Sequence, residues 1–136
     1  MAYSDTIKYV VGDTRPVISI ALKDSNTAAA GKTLDSQDST TWATISLASN
    51  DYVKMYIRKV GTTFVADSSS PSYDASKVLT ATSIVDGDGT AVFTPTTSTF
   101  ASAGTYEGEI EISYSSGAII QTVHELVKFI VRDDFN

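Results

Sequence analysis

Residues 101–114, Ala-Ser-Ala-Gly-Thr-Tyr-Glu-Gly-Glu-Ile-Glu-Ile-Ser-Tyr, constrain the fold more than any other stretch of the chain. After a Gly-containing corner the residues alternate strictly. Tyr106, Gly108, Ile110, Ile112 and Tyr114 fall on one side, and Thr105, Glu107, Glu109, Glu111 and Ser113 on the other. Successive side chains leave a β-strand on opposite faces, so a period of two with one apolar and one charged face specifies a half-buried antiparallel strand. Its length and regularity place it at the centre of a β-sandwich.

The remaining segments are organised around that strand. Residues 6–11 are rich in β-branched and aromatic types and predict a first strand. Pro16 lacks a backbone donor and belongs at a strand start or on an edge. Residues 17–23 predict a second strand with Ile18, Ile20 and Leu22 toward the core. In residues 51–59, Val53, Met55 and Ile57 alternate with Lys54, Tyr56 and Arg58. Pairing this strand with the 106–114 strand sets Lys54 and Arg58 against Glu107, Glu109 and Glu111, an arrangement that favours one register. Residues 78–85 and 90–94 predict a hairpin across Asp86-Gly87-Asp88-Gly89, whose residues suit the positive φ of a tight turn. Residues 118–132 predict a last strand, long enough to bend or carry a bulge, with Val127, Phe129 and Val131 inward. No segment has a helical period, so the sequence predicts an all-β chain of about seven or eight strands.

Two stretches break the pattern. In residues 24–50, ten of 27 residues are Ser or Thr, a composition that predicts a long polar surface loop. Trp42, Ile45 and Leu47 stand out within it and are expected to plug an end of the sandwich. Residues 61–77, centred on Ser68-Ser69-Ser70-Pro71-Ser72, predict a second long polar loop. A loop as long as residues 24–50 inside a compact domain is unusual, and such loops are either mobile or functional. The 136 residues make one domain, 1–136, large enough to fold without a disulfide or metal.

Charge and composition narrow the chemistry. The formal net charge is −6, which disfavours phosphate backbones and anionic lipid, so neither nucleic acid nor membrane is an expected partner. The first residues, Met-Ala-Tyr-Ser-Asp-Thr, lack the basic and apolar regions of a signal peptide, and the chain is expected to assemble in a cytoplasm. There is no cysteine and a single histidine, His124, so no transition-metal site is expected. Asp86-Gly87-Asp88-Gly89 resembles the start of a calcium loop, but Thr90, Ala91 and Thr97 stand where such a loop needs an oxygen ligand, glycine and glutamate, and a turn is the better account. Glu107, Glu109 and Glu111 are neighbours along one strand face and not a pair across a cleft, which describes a solvated sheet surface better than a glycosidase site. His124 could in composition join a triad, yet no Gly-x-Ser-x-Gly elbow accompanies it. The chain is therefore expected to be non-enzymatic, with no catalytic residue and no cofactor. Tyr3, Tyr9, Tyr52, Tyr56, Tyr73 and Trp42 remain as aromatic candidates for protein contact, with Tyr3, Trp42 and Tyr73 the leading interface candidates.

Tyr106, following Ala103-Gly104-Thr105, sits where immunoglobulin-like sandwiches place the tyrosine corner. Residues 9–24, Tyr-Val-Val-Gly-Asp-Thr-Arg-Pro-Val-Ile-Ser-Ile-Ala-Leu-Lys-Asp, then 45–47, 53–59, 103–109 and 114–117, resemble in order and spacing the immunoglobulin-like N-terminal domain of phage baseplate upper proteins. The resemblance implies an immunoglobulin-like antiparallel β-sandwich serving as a structural module of a tailed-phage virion. It further implies that the module attaches tail, baseplate or fibre subunits, partners with other phage structural proteins and works as a homo-oligomer. A capsid decoration or neck protein of the same fold is the nearest alternative. A carbohydrate- or cell-surface-binding module, using Trp42, Tyr73, Asp38 and Asp74, is the alternative from a different class. Residues 24–50, residues 61–77 and the residues ahead of Thr6 are expected to carry much of the contact.

Overall fold

A computed structural model describes residues 6–47, 51–65, 67–85, 89–114, 119–123 and 126–135. Its strands are β1 (Ile7–Val10), β2 (Ile18–Ala21), β3 (Lys23–Ala28), β4 (Trp42–Thr44), β5 (Tyr52–Lys59), β6 (Val78–Thr80), β7 (Ser83–Val85), β8 (Thr90–Phe93), β9 (Gly104–Tyr114), β10 (Ile119–Thr122) and β11 (Val127–Arg132). Among the described residues there is no α-helix, only short 3-10 turns at Ser39–Thr41 and Ala75–Lys77.

The larger sheet runs β1-β11-β9-β5-β6, with β10 also on β9. The smaller runs β2-β8-β7, and β3 pairs with β4 as a separate ribbon. As expected, β9 is central: β5 lies antiparallel on one side, and β10 and β11 antiparallel on the other. β1 joins the far edge of β11 in parallel. The two sheets pack as a sandwich around one core, since side chains on a strand's inward face must find an apolar counterpart. From the smaller sheet come Ile18, Ile20, Ala91 and Phe93, and from the larger Val53, Met55, Ile57, Tyr106, Ile110, Ile112, Val127, Phe129 and Val131, all buried. Phe100 sits among three rings, with centroids 4.9 Å from Tyr9, 5.2 Å from Tyr106 and 5.0 Å from Phe129. Gly108 on β9 leaves room for the Met55 sulfur, which a Cβ there would approach to 2.9 Å.

Several expectations are corrected. Residues 78–85 do not form one arm of a hairpin. β6 belongs to the larger sheet against β5, β7 to the smaller against β8, and the chain changes sheets between them. The Ala81 amide still bonds Val53 of the larger sheet at 2.8 Å, while the Thr82 amide bonds Val92 of the smaller at 2.8 Å. Val85 does pair with Thr90, though Asp86-Gly87-Asp88 lies outside the described residues. Residues 24–50 are not loop throughout, because β3 and β4 pair within them through a register shift between Asp24 and Ala28. Residues 118–132 divide into β10 and β11. Between Thr122, opposite Glu111, and Val127, opposite Gly108, this strand advances five residues while β9 advances three. Two extra residues are thus accommodated, and because two is the strand period, Val123 and Val127 both remain inward. Among the described residues these breaks give eleven strand segments, where the sequence predicts about seven or eight.

Candidate functional site

The tyrosine corner forms at the start of β9. The buried Tyr106 hydroxyl donates to the Ser102 carbonyl at 2.7 Å and lies 3.0 Å from the Ser102 hydroxyl. Residues 61–77 are anchored to this corner, and they contain no strand among the residues described. The Lys77 ammonium bonds the carbonyls of Ser98 and Thr99 and stands 5.8 Å from the Tyr106 ring centroid. The buried Thr99 hydroxyl donates to Ser76 at 2.9 Å and accepts from the Thr96 amide at 2.9 Å. Aspartates close the local turns: the Asp67 carboxylate accepts from Ser69, and that of Asp74 from Ser76. The serine hydroxyls first, and then the amides, hold both carboxyls below the usual range. The Thr40 hydroxyl and amide do the same for Asp38.

The outer face of the larger sheet holds a cross-strand charge pattern. β5 and β9 pair with Lys54 opposite Glu111, Tyr56 opposite Glu109 and Arg58 opposite Glu107, as the sequence predicts. On the other flank Lys128 of β11 lies opposite Glu107. Arg58 grips Glu107 Oε1 through Nη2 at 2.7 Å and Nε at 2.8 Å. The Tyr56 hydroxyl donates to Glu111 Oε1 at 3.2 Å, and burial, together with the Glu111 charge, pushes the Tyr56 phenol up. Phe64, from the 61–77 loop, turns back over this face and meets the Tyr56 ring edge-on, centroids 5.4 Å apart at 68°. Tyr56, Phe64, Leu126, Arg58 and the three glutamates thereby enclose a groove of about 410 Å³.

The same face exposes apolar side chains at both ends. Tyr52, Ser113 and Ile120 lie in one cross-strand row, with Tyr52 61% and Ile120 59% exposed. At the other end Ile130 is opposite Thr105, whose carbonyl accepts from the Val60 amide, and Val60 and Ile130 are 53% and 48% exposed.

The leading interface candidates separate. Tyr3 lies outside the described residues, as does His124. Tyr73 is half-buried in the 61–77 loop. Trp42 is only 2% exposed, and its indole N–H donates to the Asp35 carbonyl at 2.9 Å. It belongs with Ile45 and Leu47 to the buried core, so its ring is not an exposed contact surface. Tyr9 is likewise a core ring, its hydroxyl donating to the Pro16 carbonyl. Sequence reasoning missed Phe64, because a lone aromatic in a polar loop has no period to reveal its contact. Ile120 and Ile130 were legible as apolar residues out of phase with their inward neighbours. Among the described residues, no trio of His, Asp or Glu is arranged to hold a metal ion.

Comparison of the chain with family models, with curated proteins and with solved structures gives no match.

Proposed function

We propose that this chain is a non-enzymatic immunoglobulin-like module of a tailed-phage virion, which attaches subunits to one another in the tail, baseplate or fibre. The fold assignment is supported by strand order. Taking β2, β5, β7, β8, β9 and β11 as strands B, C, D, E, F and G, one sheet carries C-F-G and the other B-E-D, with the tyrosine corner on F. The virion assignment is supported by the ordered resemblance of residues 9–24, 45–47, 53–59, 103–109 and 114–117 to phage baseplate upper proteins.

The observation that carries an attachment role is the outer face of the larger sheet. Tyr52, Ile120, Val60 and Ile130 leave large apolar surface in water on a face that also holds a fixed charge pattern, a combination that suits contact with another protein. Function on this reading is interface formation without turnover. The carbohydrate-binding alternative loses one of its two rings with the burial of Trp42, keeps the half-buried Tyr73, and has its Asp38 and Asp74 carboxylates accepting hydrogen bonds in local turns.

Immunogold electron microscopy of virions from the source, with antibody raised against the recombinant chain, tests the proposal. Label at the tail tip or baseplate is the expected result. Label over head or neck would move the same fold to decoration or collar duty. Unlabelled particles with an accessible epitope would overturn the virion reading.

A further inference from the structure

The segment that leaves β11 carries an aromatic ring into water. Residues 133–135, Asp-Asp-Phe, follow Arg132 without regular structure, and Phe135 is 95% exposed although the Arg132 guanidinium stands 5.0 Å from its ring centroid. In an extended segment residues two apart fall on the same side, so Asp133 and Phe135 present a carboxylate and a phenyl ring together. At the same end of the larger sheet lies an open cavity of about 260 Å³. Val131 of β11 is opposite Gly104, and the Lys59 side chain lies against that glycine at the cavity's edge. The cavity has an apolar lining of Ile57, Phe64, Val65 and Tyr106, and Arg58, Lys59 and Lys77 bring positive charge to it. Lys77 is held by the Ser98 and Thr99 carbonyls, and Arg58 by Glu107. Lys59 continues the inward phase of Val53, Met55 and Ile57, and so sets an ammonium where the sandwich opens, 3.4 Å from the Ser102 hydroxyl. Asp74 also lines the cavity, with its carboxylate accepting from the Ser76 amide and lying 3.9 Å from Lys77.

We infer that this cavity receives residues 133–135 of a second copy of the chain, with the Phe135 ring on the apolar lining and the Asp133 carboxylate at Lys59. The inference deepens the proposed attachment role by naming the partner, and it rests on that reading for its biological setting. An apolar cavity of about 150 Å³ suffices for a benzene ring, so the 260 Å³ here takes the phenyl group with a carboxylate beside it. The charges are complementary. Three cations and one carboxylate surround the cavity, whereas the segment brings two carboxylates, in a chain whose net charge is −6. A copy's own segment would have to cross β9, which separates β11 from β5, and leave its contact with Arg132. Segment and cavity lie at one end of the molecule, so two copies meeting end to end about a twofold axis exchange segments reciprocally.

The test is sedimentation equilibrium of the full chain across a range of concentrations, joined to isotope-filtered NMR on a mixture of labelled and unlabelled copies. The expected result is a reversible dimer, with nuclear Overhauser effects from the Phe135 ring of one copy to Ile57 and Val65 of the other. Phe135→Ala and Asp133→Lys alter exposed positions, and dispersed spectra report that the variants are folded. Each should raise the dimer Kd about tenfold or more. Lys59→Glu should do the same, and Lys59→Glu combined with Asp133→Lys should recover much of the loss. A chain that stays monomeric, a dimer that Phe135→Ala leaves unchanged, or a folded charge swap without recovery overturns the inference. Overhauser effects confined to one copy also overturn it, because the segment would then fill its own cavity. The measurement uses the isolated chain, so its failure is distinct from failure of the virion labelling.

Discussion

The Tyr106 hydroxyl reaches back four residues to the Ser102 carbonyl at 2.7 Å, tying the corner before β9 to the strand that it introduces. The ring is buried against Phe100, while Ser102 is exposed. Tyr106→Phe therefore keeps the packing and removes the bond, and the freed carbonyl can take water. The expected cost is about 1 kcal/mol. That corresponds to a fall in Tm of about 4 °C for a chain of this size, measured by calorimetry. A loss within error would mean that the corner is held by packing alone.

Gly89 and Gly12 both have positive φ, 73° and 78°, but their surroundings differ. A Cβ at Gly12 meets nothing within 4 Å, whereas at Gly89 it would run into the carbonyl of Ile45 and come within 2.8 Å of Thr44 Cγ2. Gly12→Ala should cost about 1 kcal/mol, from backbone conformation alone. Gly89→Ala adds a clash with backbone that cannot rotate away, and a total of about 3 kcal/mol is expected. Urea denaturation of the two variants isolates the clash as their difference. Equal losses would show that the Gly89 turn relaxes.

Where one face is buried and the other wet, the fold was legible in the sequence. The alternation of β9 placed Ile110 and Ile112 inside, and the glutamates opposite Lys54 and Arg58 fixed the register with β5. Features set by distant backbone partners were not legible. Nothing in Ala81-Thr82 marks a change of sheet, which is determined by the carbonyls of Val53 and Val92. β3 is polar along its length, Lys-Asp-Ser-Asn-Thr-Ala, so it carries no period to announce its pairing with β4. The groove was half legible: its carboxylates were predicted on one face, but Phe64 and Leu126 reach it through tertiary contact.

Trp42 is the chain's one tryptophan, and it is a buried residue of the β3–β4 ribbon, opposite Ala28. Its fluorescence should be blue-shifted in the native chain and move red on unfolding. If the ribbon is part of the cooperative unit, the emission change and the far-ultraviolet circular dichroism change will coincide. Trp42→Ala should cost about 3–5 kcal/mol, because it opens a large cavity and removes a satisfied indole donor. A red-shifted native emission would contradict the burial.

The Arg58–Glu107 pair is the best-formed ion pair on the outer face, yet Arg58 is half in water, with a side chain 48% exposed. A double-mutant cycle of Arg58→Ala and Glu107→Ala should give a coupling of about 0.5 kcal/mol, reduced by added salt. Its larger effect is on register, because a slip of one residue would send β5's inward Val53, Met55 and Ile57 to the wet face. A coupling well above 1 kcal/mol would mean that the groove around the pair excludes water more than its exposure implies.

Tyr9 carries the clearest pH dependence in the core. Burial among Phe100 and Phe129 pushes its phenol from the ordinary value of 10 up to about 12. The folded state thus holds the proton more tightly than the unfolded state, so the associated stability is fully present below pH 10 and is lost as pH rises toward 12. Ionisation would also remove the donor that the Pro16 carbonyl accepts from. Denaturation midpoints should therefore fall across this window. Tyr9→Phe should flatten the fall, at a cost of about 1 kcal/mol near neutrality for the lost bond. The flattening is partial, because burial, aided by nearby carboxylates, also raises Tyr56 and Tyr114. An unchanged alkaline slope in Tyr9→Phe would show that the Tyr9 phenol titrates alike in the folded and unfolded chains.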